Sequence, residues 1–293
     1  MICIQLNGGL GNQMYQYSVG RAMAYKLQTE LLLDTTQFKK KRLTEGYNYR
    51  SYELGIFNIK AREATADDIK KLKPLFYRIA NGLTMRMGLR GIQSSRYLIE
   101  KGYSYNESIE TIDKDCFLAG YWQSFRYFQS IESLVRKDFE FPQVLDKENV
   151  QRINMIKSEN SISLHIRRTD FVNNIHGTCS IEYYKKAAEC FANMVNSPYY
   201  FIFSDDIGWV QKNLQLAYPH EFVTGHEGKQ SYIDMQLMSL CKHNIIANSS
   251  FSWWGAWLNS NPDKVVIAPK EWFAVKTMNK QTKDLIPEEW IKL

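Results

Sequence analysis

The segment best suited to chemistry carries the sequence His-x-Arg-Arg-x-Asp at residues 165–170. An apolar run over residues 161–166 leads into it and predicts a buried strand. Arg167, Arg168 and Asp170 then follow where that strand ends. Paired guanidinium groups bind phosphate oxygens through parallel hydrogen bonds, so the segment indicates a phosphate site. The alternative for this segment taken alone is an ion pair on a solvated loop.

Polar residues also follow two later strand patterns. Ser204, Asp205 and Asp206 come after the apolar run 199–203, and Asn-Ser-Ser-Phe-Ser at 248–252 comes after another. Because parallel strands end at one edge of a sheet, the three loops should converge. A carboxylate there can accept guanine N–H groups or ribose hydroxyls, and serines that open a helix can bind phosphates. Each loop alone is explained by helix capping. Together they predict a nucleotide diphosphate site, and the nearby Trp and Tyr residues suit a sugar.

The first residues form a separate pattern with a glycine-rich turn. A strand pattern at residues 1–6 leads to Gly-Gly-Leu-Gly-Asn-Gln at 8–13 and then to an amphipathic helix. The turn is not a dinucleotide fingerprint, because Met14 stands where the third glycine would be, and no P-loop Gly-Lys-Ser/Thr follows. A tight turn explains the glycines. It does not explain Asn12 and Gln13, two amides at the start of a helix.

The order of strand and helix patterns predicts an α/β fold with two domains. In the second half, strands and helices alternate, which is typical of a parallel sheet with helices on both faces. That half is therefore predicted to be a Rossmann-like domain. The polar stretch 147–160 marks the junction, so we expect domains at residues 1–155 and 156–293.

The stretch from residue 34 to 160 has a weaker pattern. Residues 66–81 predict a helix, and residues 117–128 are rich in aromatic side chains. Within the aromatic stretch, residues 121–124 either line a sugar site or pack in the core, and core packing is favoured.

The composition is that of a soluble protein large enough for two domains. Of 293 residues, 44% are hydrophobic and 23% are charged. The five cysteines are widely spaced without a Cys-x-x-Cys pair, which favours reduced thiols in a cytosol over disulfides or a zinc site. We expect neither a signal peptide nor a membrane-spanning segment. The sequence contains no zinc-finger, RNA-recognition or basic-helix pattern, so no nucleic-acid partner is expected.

The formal net charge of +6 is concentrated in one segment. Residues 60–101 contain ten Lys or Arg and four Asp or Glu, so the rest of the chain is close to balanced. Solvated helix faces are the favoured explanation. The alternative is a patch that rests on an anionic membrane or binds an acidic glycan acceptor.

Four motifs are spread along the chain, and the resemblance that they carry covers nearly all of it. They are Gly8-Gly9-Leu10-Gly11-Asn12-Gln13-Met14, His165-Ile166-Arg167-Arg168-Thr169-Asp170, Phe203-Ser204-Asp205-Asp206 and Ser249-Ser250-Phe251-Ser252-Trp253-Trp254-Gly255-Ala256-Trp257. In order and spacing they resemble the bacterial α1,2-fucosyltransferases of glycosyltransferase family eleven. The second motif is shared more widely with α1,6- and protein O-fucosyltransferases, whereas the first and last are specific to the α1,2 group.

The resemblance implies a GT-B-like fold, in which two Rossmann-like domains face a central cleft. The N-terminal domain would lie on the acceptor side, and the C-terminal domain would bind GDP-fucose. The implied reaction moves L-fucose from GDP-β-L-fucose to the 2-hydroxyl of a galactose in a β-galactoside glycan, with inversion and without a metal or other cofactor. The alternatives are a fucosyltransferase of different, α1,6-like linkage and a non-catalytic protein that binds a nucleotide sugar or glycan.

The resemblance also implies roles for single residues. Arg167 would grip the β-phosphate and stabilise the leaving GDP, while Arg168 and Asp170 hold the loop. Asn12 and Gln13 would face the donor sugar and the acceptor. The other expected donor-binding residues are Gly9, Gly11, His165, Asp205, Asp206, Ser249, Ser250, Phe251 and Ser252. Of these, His165 and one of the two aspartates would contact guanine and ribose, and the serines would contact the phosphates.

One departure concerns the catalytic base. The similar α1,6 enzymes use a glutamate in the loop after the arginines, but residues 171–179 contain no carboxylate. His176 and the thiol of Cys179 are the titratable groups there, and a structural or surface role is favoured for His176. Proton loss to water or phosphate is a further alternative, so the base stays unassigned. The expected setting is a bacterial cytosol, with peripheral contact to the inner membrane face as an option, in the synthesis of surface polysaccharide or host-like glycans.

Overall fold

The chain divides into two compact units. The computed structural model describes residues 1–39, 50–73, 96–143, 146–172 and 174–293. Unit 1 comprises Met1–Glu140 and unit 2 comprises Phe141–Leu293. Each unit has its own sheet of parallel strands together with helices. The prediction of two Rossmann-like α/β domains is therefore confirmed.

Unit 1 is built on a sheet whose central strand is the first of the chain. Its strands are β1 (Ile2–Gln5), β2 (Leu31–Asp34), β3 (Arg62–Glu63), β4 (Tyr97–Ile99) and β5 (Cys116–Ala119). In the described part of unit 1 these form a five-stranded sheet in the order β3-β2-β1-β5-β4, and the pairings are parallel. The helices described there are α1 (Leu10–Lys26), α2 (Ala66–Leu72) and α3 (Glu132–Asp138), with 3₁₀ turns at Leu54–Ile56, Glu107–Thr111, Phe125–Tyr127 and Gln129–Ile131.

The apolar residues of β1 form the buried centre of unit 1. Ile2 and Ile4 are completely buried, and burial of such a side chain contributes about 1.5–3 kcal/mol. Helix α1 lies directly on this sheet. A Cβ built on Gly20 would come within 2.7 Å of Cδ1 of Leu31, so a glycine is needed for this close approach. The packing holds the glycine turn at the carboxyl end of β1.

The weaker predictions for unit 1 have mixed outcomes. The helix predicted at 66–81 is α2 as far as Leu72, and it begins with a capping box formed by Thr65 and Asp68. Residues 74–81 lie outside the described residues. The aromatic stretch 117–128 begins inside strand β5. The sequence did not indicate this strand, because four buried residues are too few to show a period.

Unit 2 contains a longer series of alternating strands and helices. Its strands are β6 (Asn160–Ile166), β7 (Pro198–Ser204), β8 (His220–Phe222), β9 (His243–Ile245), β10 (Val266–Ala268) and β11 (Ile291–Lys292). In the described part of unit 2 they form a six-stranded parallel sheet in the order β11-β10-β9-β6-β7-β8. The helices described there are α4 (Lys147–Ser158), α5 (Ile181–Met194), α6 (Ile207–Asn213), α7 (Tyr232–Leu240), α8 (Ser250–Leu258) and α9 (Lys276–Asn279), with a 3₁₀ turn at Gly228–Gln230.

The division between the units lies earlier than the expected one at residues 155/156. That position falls inside α4, which packs on β6 and α7 and belongs to unit 2. Asp146 caps the start of α4, and the buried side chain of Arg152 donates to Oε1 of Glu221 at 2.7 Å. The polar composition of residues 147–160 suggested a linker. This polar composition instead reflects charged residues of α4 that are partly buried and paired within unit 2.

Two further observations concern the whole described chain. The five cysteines are free thiols, and burial raises the pKa of the Cys116 thiol to about 11. No helix within the described ranges combines the length and the apolar character needed to cross a membrane.

Candidate active site

Arg167 leaves the end of β6 and is held by two carboxylates. Its Nε and Nη2 donate to Oδ1 of Asp170 at 2.9 and 2.6 Å, and its Nη1 lies 3.3 Å from Oδ2 of Asp205. The arginine side chain is 17% exposed, so water screens this arrangement only in part. A guanidinium group fixed in this way keeps one direction, which suits the recognition of a phosphate oxygen.

Asp205, just after β7, organises the backbone of the arginine loop. Its Oδ1 accepts a hydrogen bond from the Arg168 N–H at 2.9 Å. Its Oδ2 accepts from the Thr169 N–H at 3.1 Å and also from the Thr169 hydroxyl. With the ion pair to Arg167, these contacts use most of the acceptor capacity of the carboxylate. Asp205 therefore positions the loop, and a contact of Asp205 or Asp206 with guanine or ribose stays a prediction.

Arg168 and Asp206 are engaged with helix α6. The guanidinium carbon of Arg168 lies 3.3 Å from the centre of the Trp209 ring, and its Nε lies 3.5 Å from Oδ2 of Asp206. Oδ1 of Asp206 accepts from the Trp209 N–H at 3.2 Å and caps α6. Both charged groups thus have structural partners. Sequence reasoning missed Trp209, because a single aromatic residue on a helix gives no signal of such stacking.

His165 joins the first and third loops. It is 4% exposed, and its ring centre lies 5.8 Å from that of Phe251 in α8. Its Nδ1 is buried and has no hydrogen-bond partner among the described residues. Burial and then the positive charge of Arg167 lower the pKa of His165 to about 4, so the imidazole is neutral at pH 7. A contact of His165 with guanine stays a prediction.

The serines of the third loop form the start of α8. Ser249 is its N-cap, with Oγ accepting from the Phe251 N–H at 3.3 Å. Ser252 is 1% exposed and donates to the carbonyl oxygens of Ala247 and Ser249 at 3.5 and 3.3 Å. Ser250 is half-buried. The hydroxyl of Ser252 is thus used inside the turn, whereas the backbone N–H groups at the helix start retain the anion-binding property of a helix N-terminus.

The tryptophans that follow these serines belong to the core. Trp253 and Trp254 are completely buried, and Trp257 is 6% exposed. Nε1 of Trp253 donates to the carbonyl oxygen of Leu285 at 2.9 Å, and its ring packs on Trp290. The expectation that the aromatic residues of this motif suit a sugar is therefore wrong for these three. The ring of Trp253 thus contacts the C-terminal segment, and the rings of Trp254 and Trp257 pack against Trp253.

Asn248 ties the loop after the arginines to the third loop. Its Nδ2 donates to the carbonyl oxygens of His176, Gly177 and Trp272 at 3.1, 3.0 and 3.0 Å. It is 3% exposed, so these contacts are shielded from water. The sequence placed Asn248 in the third loop but gave no sign of this separate structural role.

His176 and Cys179, the titratable groups of the loop after the arginines, are both packed. The His176 ring lies 4.7 Å from that of Phe171, nearly parallel to it, and 5.3 Å from that of Phe273. Burial lowers the pKa of His176, and burial raises the pKa of the Cys179 thiol to about 11. The thiol donates to Oδ1 of Asn248 at 3.5 Å. This packing agrees with the structural role favoured for His176.

In unit 1, the buried side chain of Gln13 forms hydrogen bonds with the backbone of the glycine turn. Gly8 has a φ angle of +76°, which favours glycine. Gln13 is completely buried, and its Nε2 donates to the carbonyl oxygens of Gly8 and Ser51 at 2.9 and 2.8 Å. Its Oε1 accepts from the Glu53 N–H at 2.9 Å. The expectation that Gln13 faces a substrate is corrected by this geometry, because the whole amide is committed to the backbone.

Asn12 and the first residues of α1 lie at the same turn. Asn12 is half-buried, and its Oδ1 accepts from Nε2 of Gln123 at 2.7 Å. Gly9 is the N-cap of α1, and a Cβ there would lie 3.7 Å from Nη1 of Arg50. Gly11 is buried. Substrate contacts of Asn12, Gly9 and Gly11 stay predictions, and Arg50 is a neighbour that sequence reasoning missed.

A carboxylate that the sequence did not indicate lies in the neighbouring loops. Glu100 directly follows β4, and its Oε2 accepts from the N–H groups of Tyr121 and Trp122 at 2.7 and 2.8 Å. Nε2 of Gln16 donates to the carbonyl oxygen of Gly120 at 3.0 Å and ties this loop to α1. Trp122 is completely buried with a φ angle of +57°, whereas Tyr121 is 40% exposed. Core packing is thus confirmed for Trp122 and not for Tyr121.

No three His, Cys, Asp or Glu side chains among the described residues are grouped as metal ligands would be.

The chain matches the profile described as Glycosyl transferase family 11 over residues 72–293. Alpha-1,2-colitosyltransferase of Escherichia coli is 33% identical, with 100% of this chain and 99% of the relative covered. The O-antigen biosynthesis glycosyltransferase WbnK of Escherichia coli is also 33% identical, with 98% and 99% covered.

More distant similarities concern an animal protein and a solved structure. The galactoside 2-alpha-L-fucosyltransferase of Caenorhabditis elegans is 25% identical, with 69% of this chain and 60% of the relative covered. The fucosyltransferase NodZ from Bradyrhizobium has a TM-score of 0.49 at 12% identity, with 87% of this chain and 91% of that chain covered. The full-length similarities define the protein as a glycosyltransferase. The chain belongs to glycosyl transferase family 11, which confirms the resemblance carried by the four motifs.

Proposed function

We propose that this protein transfers L-fucose from GDP-β-L-fucose to the 2-hydroxyl of a galactose in a β-galactoside glycan, with inversion and without a metal. The observation that carries the proposal is the fixed guanidinium group of Arg167 at the end of β6, held by Asp170 and Asp205. Membership of family 11 and the similarity to relatives named for α1,2 transfer support the linkage.

The chemistry requires a partner for the charge of the departing nucleotide. As the acceptor oxygen bonds to C1 of fucose, the bond from C1 to the β-phosphate oxygen breaks and its electron pair leaves with GDP. Arg167 is held in one orientation and can meet that charge with little reorganisation. The N-terminus of α8 adds positive potential. These two sources supply the charge stabilisation that a metal ion provides in other enzymes, which is our reason for proposing a metal-free reaction.

Colitose is the second candidate sugar. A relative that is 33% identical over the whole chain is named Alpha-1,2-colitosyltransferase. Colitose is fucose without its 3-hydroxyl, so both sugars present the same anomeric carbon to an acceptor. A donor site that hydrogen-bonds the 3-hydroxyl would discriminate strongly against colitose, because the polar partner of that hydroxyl would be left unpaired. The ratio of kcat/KM for the two GDP sugars therefore decides between them.

We assign the donor to unit 2 and the acceptor to unit 1. Unit 2 carries Arg167 and the start of α8, both suited to a diphosphate. Unit 1 carries the half-buried Asn12 and the exposed ring of Tyr121, on which a sugar face can pack. The alternatives remain a different, α1,6-like linkage and a non-catalytic protein that binds the nucleotide sugar or glycan.

The deciding experiment supplies GDP-fucose and lactose in the presence of EDTA. We expect GDP release together with a product whose α-fucosyl residue is attached to O2 of galactose by NMR. Attachment at another oxygen supports the linkage alternative. GDP binding in calorimetry without product from any galactoside supports the binding protein. Turnover that EDTA abolishes contradicts the metal-free reaction.

The proposed setting is the cytosolic synthesis of a bacterial surface polysaccharide. A contact of residues 60–101 with the inner face of an anionic membrane stays the alternative to a solvated surface. Of the basic residues in that segment, Arg62 is paired with Glu30 and Asp68, and residues 74–95 lie outside the described ranges. Co-sedimentation with phosphatidylserine vesicles, compared with phosphatidylcholine vesicles, measures the contact. Equal binding to both would contradict an electrostatic attachment.

A further inference from the structure

Fucosyl transfer also requires a group that takes the proton of the acceptor hydroxyl, and the arginine loop is poorly suited to supply it. Asp170 and Asp205 accept hydrogen bonds from Arg167 and from the loop backbone. Both carboxylates are therefore already engaged in holding Arg167 and the backbone of the loop. His176 is packed between two aromatic rings. The polar loops at the carboxyl ends of β4 and β5 in unit 1 offer another carboxylate.

Glu100 is oriented by one of its two oxygens. Oε2 accepts from the N–H groups of Tyr121 and Trp122 at 2.7 and 2.8 Å. Oε1 has no hydrogen-bond partner among the described residues, and the side chain is half-buried. A carboxylate that is fixed through one oxygen and open at the other has a defined direction for proton transfer. This is the geometry that a positioned general base needs.

The loop around Glu100 is built closely enough to hold this geometry. A Cβ on Gly120 would lie 2.4 Å from Cβ of Glu100 and 3.1 Å from Nε1 of Trp122, so glycine alone fits there. Nε1 of Trp122 is buried and has no hydrogen-bond partner in the described parts of the chain. An unpaired buried donor costs about 1–3 kcal/mol, which a ligand oxygen or a water would recover. A donor without a partner and an open carboxyl oxygen therefore lie on two neighbouring loops, which the hydrogen bonds of Glu100 join.

The protonation of Glu100 suits a base at neutral pH. Burial raises its pKa to about 7, and the hydrogen bonds from Trp122 and Tyr121 oppose that rise. The titratable neighbours within the described residues are the phenols of Tyr103 and Tyr121, and burial raises the pKa of Tyr103. The phenol of Tyr103 is therefore uncharged near pH 7. A base whose pKa lies near the working pH transfers protons efficiently.

We propose that Glu100 binds a hydroxyl of the acceptor sugar through Oε1 and accepts its proton as the acceptor oxygen attacks C1 of the donor sugar. This role rests on the fucosyl transfer proposed above. The proton moves to Oε1 and the bond from the acceptor oxygen to C1 forms. The bond from C1 to the β-phosphate oxygen breaks, and its electron pair leaves with GDP. Glu100 afterwards returns the proton to water.

The substitution Glu100→Gln tests this role with little disturbance of the loop. The amide oxygen of glutamine can accept both backbone N–H groups, as Oε2 does, while the amide nitrogen replaces the open oxygen and cannot take a proton. We expect kcat with GDP-fucose and lactose to fall roughly 100- to 10,000-fold, the range of general base catalysis. The affinity for GDP by calorimetry and the melting temperature should stay at the wild-type values. Glu107→Gln, which changes an exposed carboxylate of unit 1, is the matched control and should keep full activity.

Two further measurements separate a base from a structural carboxylate. The wild-type kcat/KM should rise with pH through an apparent pKa near that of Glu100. This rise with pH should be absent in Glu100→Gln. Azide needs no proton removal, so it should restore GDP release in Glu100→Ala and yield α-fucosyl azide. A Glu100→Gln variant that is folded and turns over at the wild-type rate overturns the role. So does a slow Glu100→Ala variant that azide does not accelerate.

These outcomes are distinct from failure of the proposed function. If the wild type forms no fucosyl product with any galactoside, the proposed function and the role of Glu100 fail together. If the wild type is active and Glu100→Gln is equally active, the role of Glu100 alone fails. If GDP affinity falls in Glu100→Gln in proportion to kcat, the residue acts on the fold rather than on the proton, which also refutes the proposal.

Discussion

The replacement of Arg167 by lysine conserves the charge of the loop and removes the planar guanidinium group with its several N–H donors. The guanidinium group contacts Asp170 through Nε and Nη2 and lies beside Asp205 through Nη1, which leaves further N–H groups at the end of the fork for a phosphate oxygen. A lysine ammonium group is a single point with three donors. It cannot pair with both carboxylates and also reach a phosphate in the same direction.

The expected loss follows from the contacts that lysine cannot reproduce. A hydrogen bond to a charged group contributes about 1.5–3 kcal/mol, and removal of one donor to a developing oxyanion lowers kcat by roughly 100- to 1000-fold. We therefore expect Arg167→Lys to lower kcat by roughly 100- to 1000-fold, about 2.7–4 kcal/mol. The KM for GDP-fucose should change less than kcat, because the charge on the β-phosphate grows mainly as the bond to C1 breaks.

Arg168→Lys is the matched control, since it lies in the same loop and also conserves charge. Arg168 is stacked on Trp209 with its guanidinium carbon 3.3 Å from the ring centre, and lysine can keep part of that contact. Its loss of kcat should be at least tenfold smaller than that of Arg167→Lys. Initial rates over a range of GDP-fucose concentrations, with saturating lactose, give both parameters. Equal losses in the two variants, or a larger loss in Arg168→Lys, would refute the assignment of the leaving-group contact to Arg167.

Three further predictions concern stability. Burial and then Arg167 lower the pKa of His165 to about 4 from 6.5, so the unfolded chain takes up this proton first as the pH falls. The free energy of unfolding should therefore decrease between pH 6.5 and 4, by at most about 3 kcal/mol, and urea unfolding of His165→Gln should lack this component. Asn248→Asp would set a carboxylate against three carbonyl oxygens and should destabilise unit 2 by about 3–5 kcal/mol, whereas Asn248→Ala should cost less. Chemical unfolding of both variants measures the difference, and equal stabilities would contradict it. In Gly177→Ala, the alanine would have a φ angle of +65° and its Cβ would lie 2.8 Å from Cβ of Ala274. We expect a loss of about 1–3 kcal/mol in the free energy of unfolding, seen as a melting temperature several degrees lower. Gly208→Ala, with open space around it, should keep a melting temperature near the wild-type value.

The fold of unit 2 could be predicted well because its strands alternate with helices that carry clear signals. Strand β7 is apolar for most of its seven residues, β6 carries Ile162, Leu164 and Ile166 at alternate positions, and Ser180 stands as a cap directly before α5. Since all these strands are parallel, the position of Arg167, Asp205 and Ser249 at one edge follows from topology alone. That part of the candidate site required no knowledge of side-chain contacts.

The roles of single polar residues could not be predicted, because they depend on partners far away in the sequence. Gln13 and Asn12 are neighbours in the chain, yet Gln13 is closed in by Ser51 and Glu53 while Asn12 meets Gln123. Likewise, an aspartate after a strand can bind a ligand or hold a loop, and only the structure shows that Asp205 contacts Thr169. No local pattern distinguishes these outcomes.

Glu100 was missed for a related reason. It follows β4, a strand of three residues, and its two hydrogen-bond donors lie more than twenty positions later, after β5. Strands this short show no period in the sequence. The pairing of β4 with β5, and with it the position of Glu100 beside Gly120, appears only once the sheet is assembled.

The carboxylates around Arg167 and Arg168 also set the kind of selectivity that the loop can have. Two guanidinium groups are met there by Asp170, Asp205 and Asp206, so the rim is close to neutral before any donor arrives. Such a rim exerts little long-range attraction on polyanions. Electrostatic steering is therefore weak, and the rate of encounter with the donor should depend little on salt. Discrimination then rests on the direction of a few N–H groups at short range. In the presence of other polyphosphates, a phosphate site of this kind selects ligands by shape rather than by charge.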